Sequence, residues 1–416
     1  MKVYMKICVI LLLGLAATVN TAVGQTVCDT VLSPDIKTVT LYRNGVELEA
    51  PVLRMSGNDR LMLSFDKLSP QPSSYRYRIM HCDMDWRRDG LEPYDFISGF
   101  EEGSIDNHNP SFTTLTDYVH YYQLIPSQYS RFLASGNYAL EVYDQDMPDS
   151  VVLVRRFRVY EDEAAVTGSV AKPSNSADVF RNQEITVEVD LKPQYANPRY
   201  LHVIACQNDR TDLLRELPFG SYSGSKLVYR WNEANIFPGG NCFRYFDISN
   251  IHTAMYNVQK VTQYGGELFA FLRPDEDRSR KNFAPVQSLN GGMKINVWDR
   301  NDPQVEADYV WVTFSLPLER PFLDGSVHIV GALTDWSLGE VSRMEWMPQY
   351  KTYGKRMLLK QGYYAYQLLF LPNGETVGLT ATLEGDHFGT DNRYTVYVYL
   401  RQPGDRYDRL LGVKRF

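Results

Sequence analysis

The chain has 416 residues, with 43 Lys and Arg against 50 Asp and Glu and a formal net charge of −7. With 44% hydrophobic and 22% charged residues it is no disordered chain, and 28 Gly with 21 Pro are too few for a collagen-like or linker protein. The acidic balance argues against a dedicated nucleic-acid binder, which needs a basic face to displace phosphate counterions. Aromatic residues reach 13%, with 29 Tyr, a residue whose apolar ring and polar tip suit half-exposed strands and interfaces.

At the start, Lys2 and Lys6 precede an apolar run over 7–17, and Ala22-Val23-Gly24 fits a cleavage site. This layout predicts a secretory signal peptide over 1–24. The apolar run is too short to cross roughly 30 Å of hydrocarbon, and no later stretch is long and apolar enough to span. Cleavage removes two lysines and no acid, taking the charge from −7 to −9.

Beyond it the dominant pattern is period-2 alternation, the mark of half-buried strands. Tyr75, Tyr77, Ile79 and His81 fall on one face of a strand, with Arg76, Arg78 and Met80 on the other. Tyr138, Leu140 and Val142 repeat the pattern, as do Val152, Val154, Phe157 and Val159. Further strands are predicted at 185–191, 200–206, 227–231, 243–248, 309–316, 326–330, 363–371, 394–400 and 410–413. Turn chemistry separates them: Asn44-Gly45, Ser135-Gly136-Asn137, Pro238-Gly239-Gly240, Asn290-Gly291-Gly292 and Asn373-Gly374. Helical periodicity is absent. The expectation is an all-β chain of three tandem immunoglobulin-like, early-set-type β-sandwiches over 26–161, 164–290 and 300–416. The charged stretch 273–282 reads as an exposed hairpin loop or connector between the last two.

Chemistry-bearing motifs are sparse. There is no G-x-S-x-G, H-E-x-x-H or G-x-x-x-x-G-K-[ST], and the seven His are scattered singly. One dense cluster runs His81-Cys82-Asp83-Met84-Asp85-Trp86-Arg87-Arg88. Asp83 and Asp85 could offer oxygens to a cation, but no third and fourth ligand is spaced to help. The preferred reading is a strand ending in a turn. There the carboxylates accept backbone N–H bonds and pair with Arg87 or Arg88, while Trp86 covers the sandwich end. Glu384 and Asp386 are close enough in sequence to raise a glycosidase pair, without a spacing that defines one. No catalytic residue, metal or cofactor is assigned, and the chain reads as non-enzymatic.

Cys28, Cys82, Cys206 and Cys242 follow the leader. In an exported protein they either oxidise, with Cys206–Cys242 the favoured pairing, or remain buried thiols. Gly331-Ala332-Leu333-Thr334-Asp335-Trp336 and Tyr363-Tyr364-Ala365-Tyr366-Gln367-Leu368 resemble the starch- and glycogen-binding type of carbohydrate module. That likeness favours an early-set sandwich for the last domain, with Trp336 in its core. It leaves a periplasmic or surface glycan-binding protein as the alternative function.

Several segments together resemble one family. They include Ile36-Lys37-Thr38-Val39, Arg43-Asn44-Gly45, Leu63-Ser64-Phe65-Asp66 and, most specifically, Tyr77-Arg78-Ile79-Met80-His81-Cys82-Asp83-Met84-Asp85-Trp86. Ser135-Gly136-Asn137-Tyr138, Arg155-Arg156-Phe157-Arg158-Val159-Tyr160, Phe237-Pro238-Gly239-Gly240-Asn241 and Phe243-Arg244-Tyr245-Phe246-Asp247 follow. Glu306-Ala307-Asp308-Tyr309-Val310-Trp311-Val312 and Arg406-Tyr407-Asp408-Arg409-Leu410 complete them. The sequence resembles the type IX secretion system plug protein family of Bacteroidetes. The resemblance implies a soluble periplasmic protein, monomeric on its own and peripheral to the outer membrane. Its implied partner is the large outer-membrane β-barrel translocon of that system, whose periplasmic opening it closes when the pore is idle. Neither nucleic acid nor a membrane span of its own is implied. Trp86, Arg87, Phe243, Arg244, Tyr245, Tyr407 and Arg409 are the candidate contacts, with packing and ion pairing as their alternative roles. Cys242 stands where the family pattern leads one to expect an acid, so a disulfide there would be particular to this chain.

Overall fold

The computed structural model describes residues 26–174, 178–286 and 289–416. The expected leader over 1–24 lies outside the described residues. The rest is all-β and folds around three large apolar cores.

The first core lies between two antiparallel layers. One orders Thr30–Val31, Met147–Tyr160, Gly136–Asp144, Tyr75–Cys82 and Glu102–Ile105, and the other Ile36–Arg43, Leu61–Lys67, Val119–Ile125 and His108–Pro110. The alternation read from 75–82 is realised: Tyr75, Tyr77 and Ile79 are buried, and Arg76 and Arg78 are half-buried on the other face. Phe65 stacks on Tyr121 at 5.0 Å and meets Tyr75 edge-on at 5.4 Å, so aromatic rings fill the space between the layers.

The second core departs from division in chain order. Ala164–Ala171, Asn182–Leu191, Lys226–Tyr229 and Ser221–Ser223 form one layer. In the other, Leu201–Gln207 pairs with Leu214–Leu217 on one side and with Tyr394–Leu400 on the other, and Arg409–Arg415 closes the edge. Tyr394, Val396, Val398 and Leu400 therefore pack among Val187, Val203 and Leu227, although they were expected in a self-contained sandwich over 300–416. Likewise Arg244–Asp247 pairs with Gly362–Pro372, and Glu267–Leu272 runs parallel to Tyr309–Pro317, so segments expected in the middle domain build the third core. The physical reason is that alternation fixes which face of a strand is buried but says nothing about its partner. The third sandwich is thus inserted between Ile236–Pro238 and Tyr394–Leu400 of the second.

The two crossings of this insertion lie against each other. The His387 N–H donates to the Gly240 carbonyl at 2.9 Å, and the Gly240 N–H donates to Asp386 Oδ1 at 3.0 Å. A Cβ on Gly239 would sit 2.3 Å from the His387 oxygen and 2.5 Å from the Arg181 oxygen. The Pro238-Gly239-Gly240 turn is glycine-rich because another backbone passes directly over it.

Of the hairpin Val258–Tyr264 and Glu267–Leu272, the first strand carries no periodic signal because it is largely exposed on both faces, whereas the second alternates. The charged stretch 273–282 is not a free loop either. Asp275 and Arg278 point inward and join a buried ion network described below.

The placement of the last strands predicts that Leu411, which is fully buried in the second core, is as costly to truncate as any central residue despite lying near the chain end. Leu411→Ala should lower the unfolding free energy in urea by about 2–5 kcal/mol. A change below about 0.5 kcal/mol would mean that this strand frays.

Candidate functional site

The signature segment 81–88 is a junction. After strand Tyr75–Cys82 the chain turns sharply, with Trp86 in the left-handed region at φ 64. Asp83 stabilises the turn by accepting the Asp85 and Arg87 N–H groups on Oδ1 at 3.0 and 2.7 Å, while Arg87 pairs with Asp85. The Asn137 side chain donates to the carbonyls of Asp83 and Met84 at 2.9 and 3.2 Å, and its oxygen accepts from the Tyr399 hydroxyl at 2.7 Å. Tyr399 belongs to the second sandwich. The Met84 N–H donates to Asp408, also from the second sandwich, at 2.9 Å. His81 bonds Asp89 at 2.6 Å and the Ser135 carbonyl at 3.0 Å, and Tyr407 packs edge-on against its ring at 5.3 Å. Gly136, at φ 132, is held in a space where a Cβ would come within 2.9 Å of His81 and 3.0 Å of the Asp408 carbonyl. Arg409 completes the seam by pairing with Glu161 and lying over the Tyr195 ring.

A second seam joins the first and third sandwiches. Asp66 is fully buried; its Oδ1 bonds His120 at 2.6 Å, while Oδ2 accepts from Lys360 at 2.6 Å and Tyr309 at 2.7 Å. Lys360 also donates to the Gln304 carbonyl at 2.6 Å and lies 4.2 Å over the Tyr118 ring. Burial alone would push the Asp66 carboxyl up, but Lys360 and His120 overcome it and hold the carboxyl below its ordinary range. Across the same seam the Leu115 N–H donates to Asp308 at 2.6 Å.

The third cluster lies inside the inserted sandwich. Arg244 donates to Glu384 at 2.9 and 3.1 Å and to Asp275 at 2.9 Å, and Arg278 pairs with the same Glu384. Burial would raise the Glu384 carboxyl, and the two guanidinium groups instead hold it below its ordinary range. Glu384 therefore serves as a structural anion here, and Asp386 accepts from Thr380 and Gly240.

Of the seven residues singled out in sequence, five turn largely inward and Tyr245 lies half-buried on the outer face of its strand. Trp86 is buried beneath Arg156 and Arg158, each 4.7 Å from its ring. Phe243 is buried edge-on to Trp336 at 6.0 Å, and Arg244 lies in the ion cluster. Tyr245 stacks on Tyr363 at 5.6 Å, while Tyr407 and Arg409 serve the first seam. Arg87 alone stands in solvent. The Cys206–Cys242 pairing is not formed. Both are buried free thiols, Cys206 donating to the Arg210 carbonyl at 3.4 Å and Cys242 accepting from the Val286 N–H at 3.4 Å. Strand exchange explains this, because Cys206 faces the seam with the first sandwich whereas Cys242 opens the inserted one.

The exposed apolar surface lies elsewhere. At one end of the first sandwich, Ile97–Ser98 pairs with Arg131–Phe132, and the Phe100 N–H donates to Ser130 Oγ at 3.0 Å. Gly99, at φ 100, lies so close to the Tyr129 carbonyl that a Cβ would meet it at 2.6 Å. This ribbon projects Tyr129 at 78% exposure, Phe100 at 68% and Leu133 at 49%, with Tyr94 at 75% on the adjoining helix Pro93–Phe96. Soluble proteins seldom expose neighbouring large apolar side chains without a partner. Loops carry no periodic signal, so only the aromatic types themselves could have pointed to them.

Fold and seams together define an all-β, multi-sandwich protein with an aromatic end. The type 9 secretion system plug protein first-domain model matches residues 36–161, which hold the whole signature segment. The chain belongs to the type IX secretion system plug protein family. A crystal structure of a hypothetical protein from Parabacteroides merdae is 32% identical, with a TM-score of 0.91 over 94% of this chain and 99% of that one. A serine-rich repeat adhesion glycoprotein from Streptococcus agalactiae aligns at 10% identity over 49% of this chain and 83% of its own, and its TM-score of 0.11 marks no likeness of fold. No curated protein matches. Among the described residues no helix is long and apolar enough to cross a membrane.

The Asp66 seam yields a pH prediction. A carboxyl depressed in the folded state adds stability that is present in full above its unfolded value of about 4 and is lost as pH falls through the folded value. Asp66→Asn leaves Lys360 buried without its anion and should cost about 3–5 kcal/mol at pH 7. The gap between wild type and variant, measured by urea unfolding, should narrow as pH drops below about 4. A gap independent of pH would show that the carboxylate charge is not what holds the seam.

Proposed function

We propose that this protein is a non-enzymatic periplasmic plug. It docks at the periplasmic opening of the type IX outer-membrane translocon and closes the pore when idle. Membership of the plug family carries the reading. Two further features support it. A stopper must resist deformation, and the sandwiches are joined by buried polar contacts at both seams of the first one. A stopper also needs a surface for its seat, and the ribbon bearing Phe100 and Tyr129 offers large rigid side chains of the kind that anchor protein interfaces.

The test is capture from solubilised outer membranes by the immobilised full chain, followed by identification of what elutes. The expected result is co-elution of a giant β-barrel. The double variant Phe100→Asp, Tyr129→Asp should lower capture at least about tenfold without changing the melting temperature. Failure of the wild-type chain to capture any barrel, together with saturable glycan binding, would reverse the reading. Equal capture by the variant would move the contact to another face.

A further inference from the structure

The three sandwiches meet around a cleft of about 260 Å³. Its walls draw on the first sandwich at Arg155, Arg156 and Arg158, on the second at Tyr397 and Arg393, and on the third at Met293 and Trp336. Most charges on these walls are already matched. Arg155 pairs with Asp335 at 3.1 Å and Arg156 with Asp29 at 2.9 Å. Asp209 is taken by Arg415 at 2.7 Å, and Glu49 by Arg43 at 3.4 Å.

Two arginines are left over. Arg158 lies with its guanidinium 4.7 Å from the Trp86 ring centre and 3.9 Å from that of Tyr397. Its Nε donates to the Tyr399 hydroxyl at 2.9 Å. Its two terminal nitrogens have no acceptor, and no carboxylate pairs with it, among the described residues. The Arg393 side chain donates only to the Leu48 carbonyl, at 3.2 Å, and likewise has no carboxylate partner among the described residues. Burial foremost, and then neighbouring Arg415, lowers the Arg393 pKa against the opposing pull of Asp209, Glu49 and Asp391, none of which forms an ion pair with it. The remaining acid on the wall, Glu47, is exposed in the turn after Arg43.

A guanidinium fixed by two rings and one hydrogen bond at Nε presents its terminal edge, two coplanar N–H groups. That edge matches the two oxygens of a carboxylate. The neighbouring wall is apolar, with Leu41, Leu48, Met293 and Trp336. We infer that the cleft is a binding site for a small monocarboxylate bearing an apolar or aromatic tail, its carboxylate held by Arg158 with Arg393 as the second cation. Two sources share this chemistry, a free organic acid and the carboxyl end of a peptide. The inference is independent of docking at the translocon.

The test titrates the full chain with 3-phenylpropionate and with acetyl-Gly-Phe, each beside its neutral amide, by calorimetry. At least one acid should bind saturably at one site, with its amide at least about tenfold weaker. Binding by the free acid alone or by the peptide alone identifies the source, and both support the site. Arg158→Gln and Arg393→Gln should each weaken binding about tenfold. Arg393→Gln serves as the safeguard, because it removes one bond to a carbonyl and should leave the melting temperature unchanged should Arg158→Gln fail to fold. Absence of saturation by either acid, equal binding of acid and amide, or unchanged binding by Arg393→Gln would overturn the proposal.

Discussion

The seam between the first and third sandwiches is centred on one buried carboxylate. Asp66 receives Lys360 and Tyr309 from the third sandwich and His120 from its own, and all four side chains are buried. A slip of one sandwich against the other would leave a buried ion on each side without its counter-charge. That cost, rather than the net strength of the pair, holds the register of the seam. Leucines in place of the whole set would lose the orientation that directional bonds impose. The Tyr309 hydroxyl shows this, since it bonds Thr38 at 2.7 Å as well as Asp66 and so fixes two strands of the first sandwich at once.

The seam with the second sandwich works differently. It is centred on a neutral amide beside a turn already closed by Asp83, with the Asp408 carboxylate and the Arg409–Glu161 pair at its margins. Asn137 is the central group, with both ends of its amide used, one inward to Asp83 and Met84 and the other across to Tyr399. The end of segment 77–86 is thereby constrained on three sides. A residue that must fit its own strand, a tight turn and a second domain has few substitutes, whereas an ordinary strand residue need only be apolar and of about the right size.

Faces were legible in the sequence and partners were not. Tyr75, Tyr77 and Ile79 announced a buried face, and the structure buries them. Nothing in 394–400 distinguishes pairing with 201–207 from pairing with a nearer strand, because a fully buried strand presents the same apolar run to either neighbour. The charged stretch 273–282 misled for the opposite reason. Its composition matches solvent exposure, yet Asp275 and Arg278 are neutralised by partners distant in sequence, and pairing is what allows charges to be buried. Of the residues chosen as contacts, Trp86, Tyr407 and Arg409 lie at the seam between the first two sandwiches, whereas Phe243, Arg244 and Tyr245 pack within the inserted one.

The same logic separates the arginines of the central cleft. Arg155 and Arg156 carry their own carboxylates, so their charge is spent on holding Asp335 and Asp29 in place. Arg158 is fixed as firmly, by two rings and a tyrosine hydroxyl, but with its charge unused. A packing role alone would be met by an uncharged side chain, since stacking on Trp86 and Tyr397 does not require a cation that must be partly desolvated. Because its supports come from the signature turn and from the exchanged strand Tyr394–Leu400, the position of that guanidinium depends on the first two sandwiches being docked. Any anion held there would bind only to the assembled body, and by linkage would in turn strengthen the seam between them.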